Sequence, residues 1–138
     1  MSYATLDDLE RRIAPQTLVE LADDDGDGAA DAEVIAAALA DADAAIDSYL
    51  AARYATPLTS PPAILTRLAA DIAVHALFAR KRSVLSPEQD WRHETAIKTL
   101  QAIQEGRVLL VGVAPRDLPD STRRGEEKTF AAEAVEGL

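Results

Sequence analysis

The acidic stretch DDDGDGAADAEV, residues 23–34, has the residue types and spacing of a calcium-binding EF-hand loop. In such a loop the ligands come from positions 1, 3, 5, 7 (through a backbone carbonyl), 9 and 12, with glycine at position 6. If Gly28 is placed at position 6, the predicted ligands at the earlier positions are Asp23, Asp25, Asp27, the Ala29 carbonyl and Asp31. Position 12 normally supplies a bidentate Glu but is Val34 here, so the site lacks one ligand.

Two interpretations of this acidic loop (residues 23–31) stay open. Four carboxylates in one turn repel each other unless a cation or water lies among them, so a hard cation such as calcium fits, with water or a neighbouring chain completing its shell. Alternatively, the aspartates cap helix ends and tolerate the backbone conformations of a turn. We therefore expect that the protein requires no cofactor, and that a calcium ion is the one cofactor it could bind. The chain has no second copy of the loop, which disfavours a paired calcium sensor.

The distribution of charge excludes some function classes. The net charge is −10, and residues 1–60 carry 13 acidic and 3 basic side chains, whereas residues 61–114 carry 5 acidic and 7 basic ones. So acidic a chain is a poor candidate for wrapping nucleic acid, which needs Lys and Arg to displace counterions. The asymmetry permits an acidic face of one copy to meet a basic face of another. The absence of cysteine excludes disulfides and thiolate chemistry.

Features of membrane proteins and of enzymes are also missing from the sequence. No apolar run approaches the roughly 20 residues that span a bilayer, and the first residues, MSYATLDDLERR, do not resemble a signal peptide. We therefore expect no membrane association. Asp71 and His75 stand four residues apart on one predicted helix, and His93 stands on another. Because no cysteine, third histidine or glycine-rich phosphate loop accompanies them, we interpret Asp71 and His75 as an internal hydrogen-bonded pair and expect no enzyme.

Helical periodicity predicts an all-α fold, a compact bundle of about five helices within residues 1–106. Two short helices are predicted, one beginning at Thr5 and one at Pro15. Three longer helices are expected near residues 31–55, 61–82 and 87–105, with Ser60 and Ser86 as N-caps of the last two and Gly106 as the final stop. The residues expected in the core are Val34, Ile35, Leu39, Ile46, Leu68, Ile72, Ile97 and Leu100.

Residues 107–138 are predicted to form a C-terminal arm separate from this helical domain. RVLLVGV, residues 107–113, has the β-branched composition of one strand, but the chain offers no partner strand. An unpaired apolar strand invites pairing with another chain. Phe130 is the only aromatic residue beyond it. We therefore predict that the arm extends from the bundle and docks on a neighbouring chain through Val108, Leu110, Val111 and Phe130.

Residues 2–110 resemble the small head–tail joining proteins of Mu-like phages and prophages. The resemblance rests on three segments that follow in order, YATLDDL, LADDDGDGAADAEVIAAALADADAAIDSYLAARYATPL and PPAILTRLAADIAVHALF. Its most specific parts are the acidic GDG loop, the DSYLAARY segment and the Pro-Pro start of a helix. The helical layout is also similar to that of the head completion adaptors of tailed phages.

The resemblance implies a structural, non-enzymatic virion protein that acts as a head–tail connector. By analogy at the level of fold, it implies a ring of about twelve copies beneath the portal. The implied partners are further copies of the chain, the portal protein and tail-side connector or terminator proteins, with DNA passing through the lumen without specific binding. The alternative from another class is a small calcium-binding regulatory module with a single degenerate EF-hand-like loop. Such a module would be a monomer whose helices rearrange with calcium.

Overall fold

Five α-helices account for the regular structure of residues 2–116, the part of the chain that the computed structural model describes. They are α1 (Leu6–Glu10), α2 (Pro15–Ala22), α3 (Ala32–Leu50), α4 (Ala63–Arg80) and α5 (Pro87–Gln104). No strand occurs among these described residues, so the predicted all-α class is confirmed. None of the helices in this range has the length and apolar character needed to cross a bilayer.

Three helix ends follow the local signals in the sequence. At α1 the Thr5 hydroxyl accepts a hydrogen bond from the Asp8 N–H, and the Asp8 carboxylate accepts one from the Thr5 N–H. This reciprocal pair is a capping box, which satisfies two N–H groups that the helix leaves free. Ser86 and Gln89 form the same arrangement at α5. Gly106, just past α5, has a φ of +84°, the left-handed conformation that terminates a helix.

Two other helix ends differ from the prediction. α3 ends at Leu50 rather than near residue 55, because the chain turns there and the N–H groups of Arg53 and Tyr54 both donate to the Leu50 carbonyl. Ser60 does not cap α4. Pro62 occupies the N-cap position without any side-chain hydrogen bond. Pro62 enters the helix with its φ fixed at −70°, and its carbonyl accepts a hydrogen bond from the Leu65 N–H at 3.0 Å.

α4 is the central element of the bundle and contacts each of the other four helices. Because it is surrounded, apolar residues cover most of its sides; the buried ones are Leu65, Leu68, Ala69, Ala70, Ile72, Ala73, Val74, Leu77 and Phe78. α3 buries one stripe of residues against the core. The stripe consists of Ile35, Ala38, Ala42, Ile46 and Leu50. The two alanines in this stripe present only methyl groups, which lets the neighbouring helix approach closely.

The predicted core is confirmed for the residues Ile35, Ile46, Leu68, Ile72 and Leu100, all of which are buried. The prediction was wrong for Val34, Leu39 and Ile97, which are only partly buried and pack against the edge of the core. On α3 the inward stripe runs through Ala38, which places Val34 and Leu39 on its margins. On α5 the buried position is Ala96 rather than its neighbour Ile97. The inward positions of these two helices are therefore occupied in part by alanines, whereas the prediction had placed larger apolar residues there.

Residues 107–116, called the turn segment below, form turns and irregular structure rather than the predicted strand. Leu110 is only 5% exposed and lies in the core of its own bundle, and its N–H donates to the Tyr54 hydroxyl at 3.0 Å. The Arg116 N–H donates to the Arg53 carbonyl at 2.7 Å, and its guanidinium donates to the Ala51 carbonyl at 2.6 Å. The strand prediction was wrong because the burial of Leu110 in the bundle and the hydrogen bonds to Tyr54, Arg53 and Ala51 fix the segment in a turn conformation. The predicted domain boundary at residue 106 stays a prediction.

Candidate functional site

The four aspartates predicted as cation ligands come together in the acidic loop. One carboxylate oxygen from each of Asp23, Asp25, Asp27 and Asp31 lies within 4.8 Å of the others. The loop borders an open hollow of about 400 Å³. Clustered carboxylates are the ligands that calcium prefers. The arrangement therefore has the geometry to hold a hard cation or to accept hydrogen bonds from a cationic partner.

Local hydrogen bonds between side chains and backbone give the loop its shape. The Asp23 carboxylate accepts from three N–H groups, those of Gly26 at 2.9 Å, Asp27 at 3.2 Å and Gly28 at 2.9 Å. The Asp25 carboxylate accepts from the Asp27 N–H at 3.1 Å. Gly26 and Gly28 both have positive φ, +76° and +87°, which side-chain-bearing residues rarely adopt. The glycines permit the sharp turn, and the aspartates then satisfy the N–H groups that it exposes.

Asp31 closes the loop onto the helices. Its N–H donates to the Ala22 carbonyl at 2.8 Å, and its carboxylate accepts from the Asp24 N–H at 3.0 Å. Asp31 stands at the N-cap of α3 but makes no side-chain capping bond, so the capping interpretation does not hold for it. The Ala29 N–H donates to the Asp27 carboxylate at 3.0 Å, while the Ala29 carbonyl stays a predicted ligand.

The hydrogen bonds and charges of the loop shift the pKa values of Asp23 and Asp25 in opposite directions. Hydrogen bonds from the Gly28 N–H above all, and also from the Gly26 and Asp27 N–H groups, lower the pKa of Asp23. The Asp27 N–H works to lower the pKa of Asp25, but the neighbouring Asp23 carboxyl, desolvation and the charges of Asp27 and Asp31 together raise it. Asp23 therefore holds its negative charge more firmly than Asp25, whose charge costs more in the crowded loop.

Position 12 of the loop is Val34, whose side chain carries no atom that could bind a cation. Val34 is partly buried and packs against the core. Glu33 is exposed and lines the same hollow as Asp25, Asp27 and Asp31, although it is not one of the four clustered carboxylates. A cation in the loop would therefore need water or another chain to complete its coordination shell.

Asp24 anchors the loop to α4, a role that the sequence reasoning missed. The Arg80 guanidinium contacts the Asp24 carboxylate at 2.6 Å and also donates to the Leu21 carbonyl at 2.8 Å, while the Lys81 ammonium lies 3.3 Å from Asp24. The hydrogen bond from Arg80, more than that from Lys81, lowers the pKa of Asp24. The signal in the sequence was Asp24 itself, an aspartate that stands between the predicted ligands Asp23 and Asp25 without being one of them.

The predicted pair of Asp71 and His75 does not form as expected. Asp71 instead forms an ion pair with Arg12 at 3.3 Å, and burial raises the pKa of Asp71 against the opposing attraction of Arg12, Arg92 and Arg67. The His75 ring stacks on the His93 ring with centroids 3.6 Å apart and planes inclined by 11°. Partial burial and the nearby His75 ring lower the pKa of His93. The stacked rings join α4 to α5 as a packing contact.

The predicted partner-docking residues divide into two groups. Val111 is 90% exposed and Val108 is exposed, as is their neighbour Leu109 at 70%. Leu110 is buried in its own bundle and so is not free for a partner. Phe130 lies outside the described residues. The turn segment thus presents apolar side chains outward while Leu110 holds it in place.

A profile of the family described as Bacteriophage Mu, Gp36 matches residues 3–128. The chain belongs to this family. It is also 35% identical over 108 residues to Gene product J of Escherichia phage Mu, an alignment that covers 78% of this chain and 74% of that protein. The relationship to proteins of Mu-like phages that the sequence segments implied is confirmed. The family match spans the acidic loop, all five helices and the turn segment.

Proposed function

We propose that this chain is a structural, non-enzymatic protein of the phage particle, a head–tail connector that assembles as a ring beneath the portal. The observation that carries this proposal is the family match across residues 3–128. The resemblance of its segments to head–tail joining proteins supports the connector role specifically. In this role the chain contacts further copies of itself, the portal protein and the tail-side connector or terminator proteins, while DNA passes through the lumen.

The exposed side of the turn segment suits contact with such a partner. Leu109 and Val111 project apolar side chains into solvent, beside a hollow of about 280 Å³ lined by Pro57, Leu58 and Val113. Contiguous exposed apolar surface marks protein–protein contact sites. The segment is already fastened at Leu110, so docking would lose less conformational entropy than the ordering of a free strand.

Gene deletion and complementation test the connector role. A phage or prophage that lacks this gene should accumulate separate heads and tails, visible by electron microscopy, and the wild-type chain should restore joined particles. The chain should also be found in purified particles by mass spectrometry. Normal joined particles without the chain would contradict the proposal.

A matched pair of variants tests the turn segment. Val111→Asp adds a charge to the proposed contact and should strongly reduce joining, because a charge without a partner is costly at an apolar interface. Val84→Asp is the control, since Val84 is 91% exposed, as open as Val111, and lies outside the turn segment. Both variants should keep the helical circular dichroism of the wild type. Equal joining by both variants would remove the turn segment from the proposal.

A second candidate function is calcium binding, favoured by the four carboxylate oxygens within 4.8 Å. The missing ligand at Val34 predicts affinity below that of a complete EF-hand. Calorimetry should detect calcium binding to the wild type and its loss in Asp25→Asn/Asp27→Asn, while Asp41→Asn, which changes an exposed aspartate outside the loop, should bind like the wild type. A regulatory module further requires a rearrangement of helices on calcium removal. Absence of binding heat at millimolar calcium would leave the loop as a structural turn.

A further inference from the structure

A cleft of about 380 Å³ lies between the chain just after α1 and the sides of α4 and α5. Its walls carry four guanidinium groups, one indole and one carboxylate, from Arg11, Arg12, Arg67, Asp71, Trp91 and Arg92. We call it the arginine cleft. The Trp91 side chain is 63% exposed, an unusual position for so large an apolar group. Trp and Arg are the residues most enriched among those that dominate binding at protein interfaces.

The arginine cleft keeps positive charge despite its ion pairs. Arg12 pairs with Asp71 in the cleft wall, but the partner of Arg92, Glu88, stands outside it and its side chain is 68% exposed. Arg11 lies 3.9 Å from Asp8, also outside the wall. Within residues 2–116, Arg67 forms no ion pair. The pair of Arg92 has an exposed partner, and the contact of Arg11 is long and its side chain is 76% exposed, so both pairs are weak. Arg11, Arg67 and Arg92 therefore stay available to an acidic partner.

The acidic loop lies on the opposite side of α4 from this cleft. Asp71, in the cleft wall, and Arg80, which holds the loop through Asp24, are nine residues apart on α4. At about 100° per residue, nine residues make about two and a half helical turns, so the two side chains point to opposite sides. The cleft and the loop of one chain therefore face away from each other and are free to meet those of two neighbours.

We propose that the arginine cleft receives the acidic loop of a second copy of this chain. Asp24 already has cationic partners, but Asp23, Asp25, Asp27 and Asp31 form no ion pair among the described residues. A neighbour's guanidinium groups would relieve the repulsion of these crowded carboxylates and form charge-assisted hydrogen bonds with them. Because donor and acceptor surfaces lie on opposite faces, the contact is head-to-tail and repeats from copy to copy until a ring closes.

The charges favour an acidic protein segment over nucleic acid as the occupant. The chain has a net charge of −10, and Asp71 adds a carboxylate to the wall of the cleft. A duplex carries one negative charge per about 1.7 Å, so it would meet repulsion from the rest of the surface. The acidic loop of a second copy is compact and brings its four carboxylates to one place.

Two complementary variants of the full chain test this interface, which rests on the ring assembly proposed above. Arg67→Glu damages the cleft and leaves the loop intact, whereas Asp25→Asn/Asp27→Asn damages the loop and leaves the cleft intact. Sedimentation velocity in low-salt buffer with chelator should show oligomers for the wild type. Each variant should raise the dissociation constant at least about tenfold and run as a monomer. Lys98→Glu and Asp41→Asn, exposed charges outside both surfaces, should assemble like the wild type.

An equimolar mixture of the two damaged variants gives the decisive result. Only the intact loop of one and the intact cleft of the other can pair, so a head-to-tail contact predicts a one-to-one heterodimer and nothing larger. A mixture that stays monomeric, a wild type that never self-associates, or a wild type that binds duplex DNA through Arg67 without self-associating would overturn the proposal. Circular dichroism and urea unfolding establish that each variant is folded.

The interface and the connector role fail separately. If the chain is present in particles but the cleft and loop variants assemble like the wild type, the interface is wrong and the virion role stands. If the mixed heterodimer forms but the chain is absent from particles and dispensable for joining, the interface stands and the connector role is wrong.

Discussion

The acidic loop and the turn segment both lie outside the helices, yet different interactions hold them. In the loop, the hydrogen bonds that Asp23, Asp25 and Asp27 accept span only two to five residues. In the turn segment, the bonds of Leu110 and Arg116 reach back across 56 and 65 residues. The turn of the loop therefore takes its shape from its own sequence, and the ion pair of Asp24 with Arg80 then fastens it to α4. The turn segment, by contrast, takes its shape only on the finished bundle.

This difference bears on what each region can do. A locally determined loop keeps its carboxylates clustered when it projects into solvent, so it can be presented to an ion or to a neighbouring chain with little reorganisation. The turn segment is placed by Leu110, so its exposed apolar side chains take their positions only after the bundle has folded. Substitutions that remove only local hydrogen bonds and substitutions that remove long-range contacts should therefore change the free energy of unfolding by different amounts.

The largest effect is expected from Leu110→Ala in the turn segment. Leu110 is buried against the bundle, so its truncation removes apolar contacts and leaves a cavity, at a cost of about 3 kcal/mol in the free energy of unfolding. Leu109→Ala is the neighbouring control, because Leu109 is 70% exposed and should cost less than about 0.5 kcal/mol. Urea unfolding followed by circular dichroism measures both. Equal costs would mean that the turn segment is not part of the core.

The same division explains how much of the structure could be predicted from the sequence. The capping boxes at Thr5 and Ser86 and the clustering of the aspartates depend on residues a few positions apart, and these features appear as expected. The strand prediction for residues 107–113 is wrong because the conformation of this segment depends on a hydrogen bond to the Tyr54 hydroxyl, which lies far away in sequence. The ion pair of Asp24 with Arg80 was missed for the same reason.

The two surfaces of the proposed interface follow this pattern. The clustering of the four aspartates in the acidic loop could be predicted from the sequence, because the spacing of an EF-hand-like loop is local. The arginine cleft could not, because it assembles side chains from three separate parts of the chain, among them Arg12, Arg67 and Trp91. Only the opposite charge bias of the two halves of the sequence hinted at it.

A pH titration tests long-range support at a second place, Tyr3. The Tyr3 hydroxyl donates to the Asp47 carboxylate and accepts from the Leu58 N–H at 3.2 Å. Burial first, and then the bond to Asp47, raise the pKa of Tyr3 to about 12. Because the folded-state pKa lies above the unfolded value, this contribution is fully present below pH 10 and is lost as the pH rises from 10 to about 12.

The expected loss over this range is about 2 kcal/mol, after allowance for the screening of Asp47 by water. Urea unfolding of the wild type and of Tyr3→Phe between pH 9 and pH 12 measures it, since the phenylalanine variant lacks the titrating group. The other alkaline titrations affect both proteins and cancel in the difference. A gap between the two proteins that does not change with pH would show that Tyr3 is no more stabilising when protonated than when ionised.

The smallest effects come from two glycines that share one backbone conformation but differ in their surroundings. Gly28 in the acidic loop has a φ of +87° and no atom within 4 Å of where a Cβ would lie. Gly106 has a φ of +84°, but a Cβ there would lie 2.7 Å from the Arg53 guanidinium, which donates to the Gln104 carbonyl at 2.8 Å. Gly28→Ala should therefore introduce only the strain of the left-handed conformation, about 1 kcal/mol.

Gly106→Ala should introduce the same strain and also displace Arg53 from the Gln104 carbonyl, for a total of about 2 kcal/mol. Urea unfolding measures both variants against the wild type. In an Arg53→Ala background the hydrogen bond is already absent, so Gly106→Ala should then cost only about 1 kcal/mol, as Gly28→Ala does. If Gly106→Ala costs as much free energy of unfolding with Arg53 present as without it, the guanidinium moves aside freely. Gly106 then depends on its local backbone conformation alone, as Gly28 does.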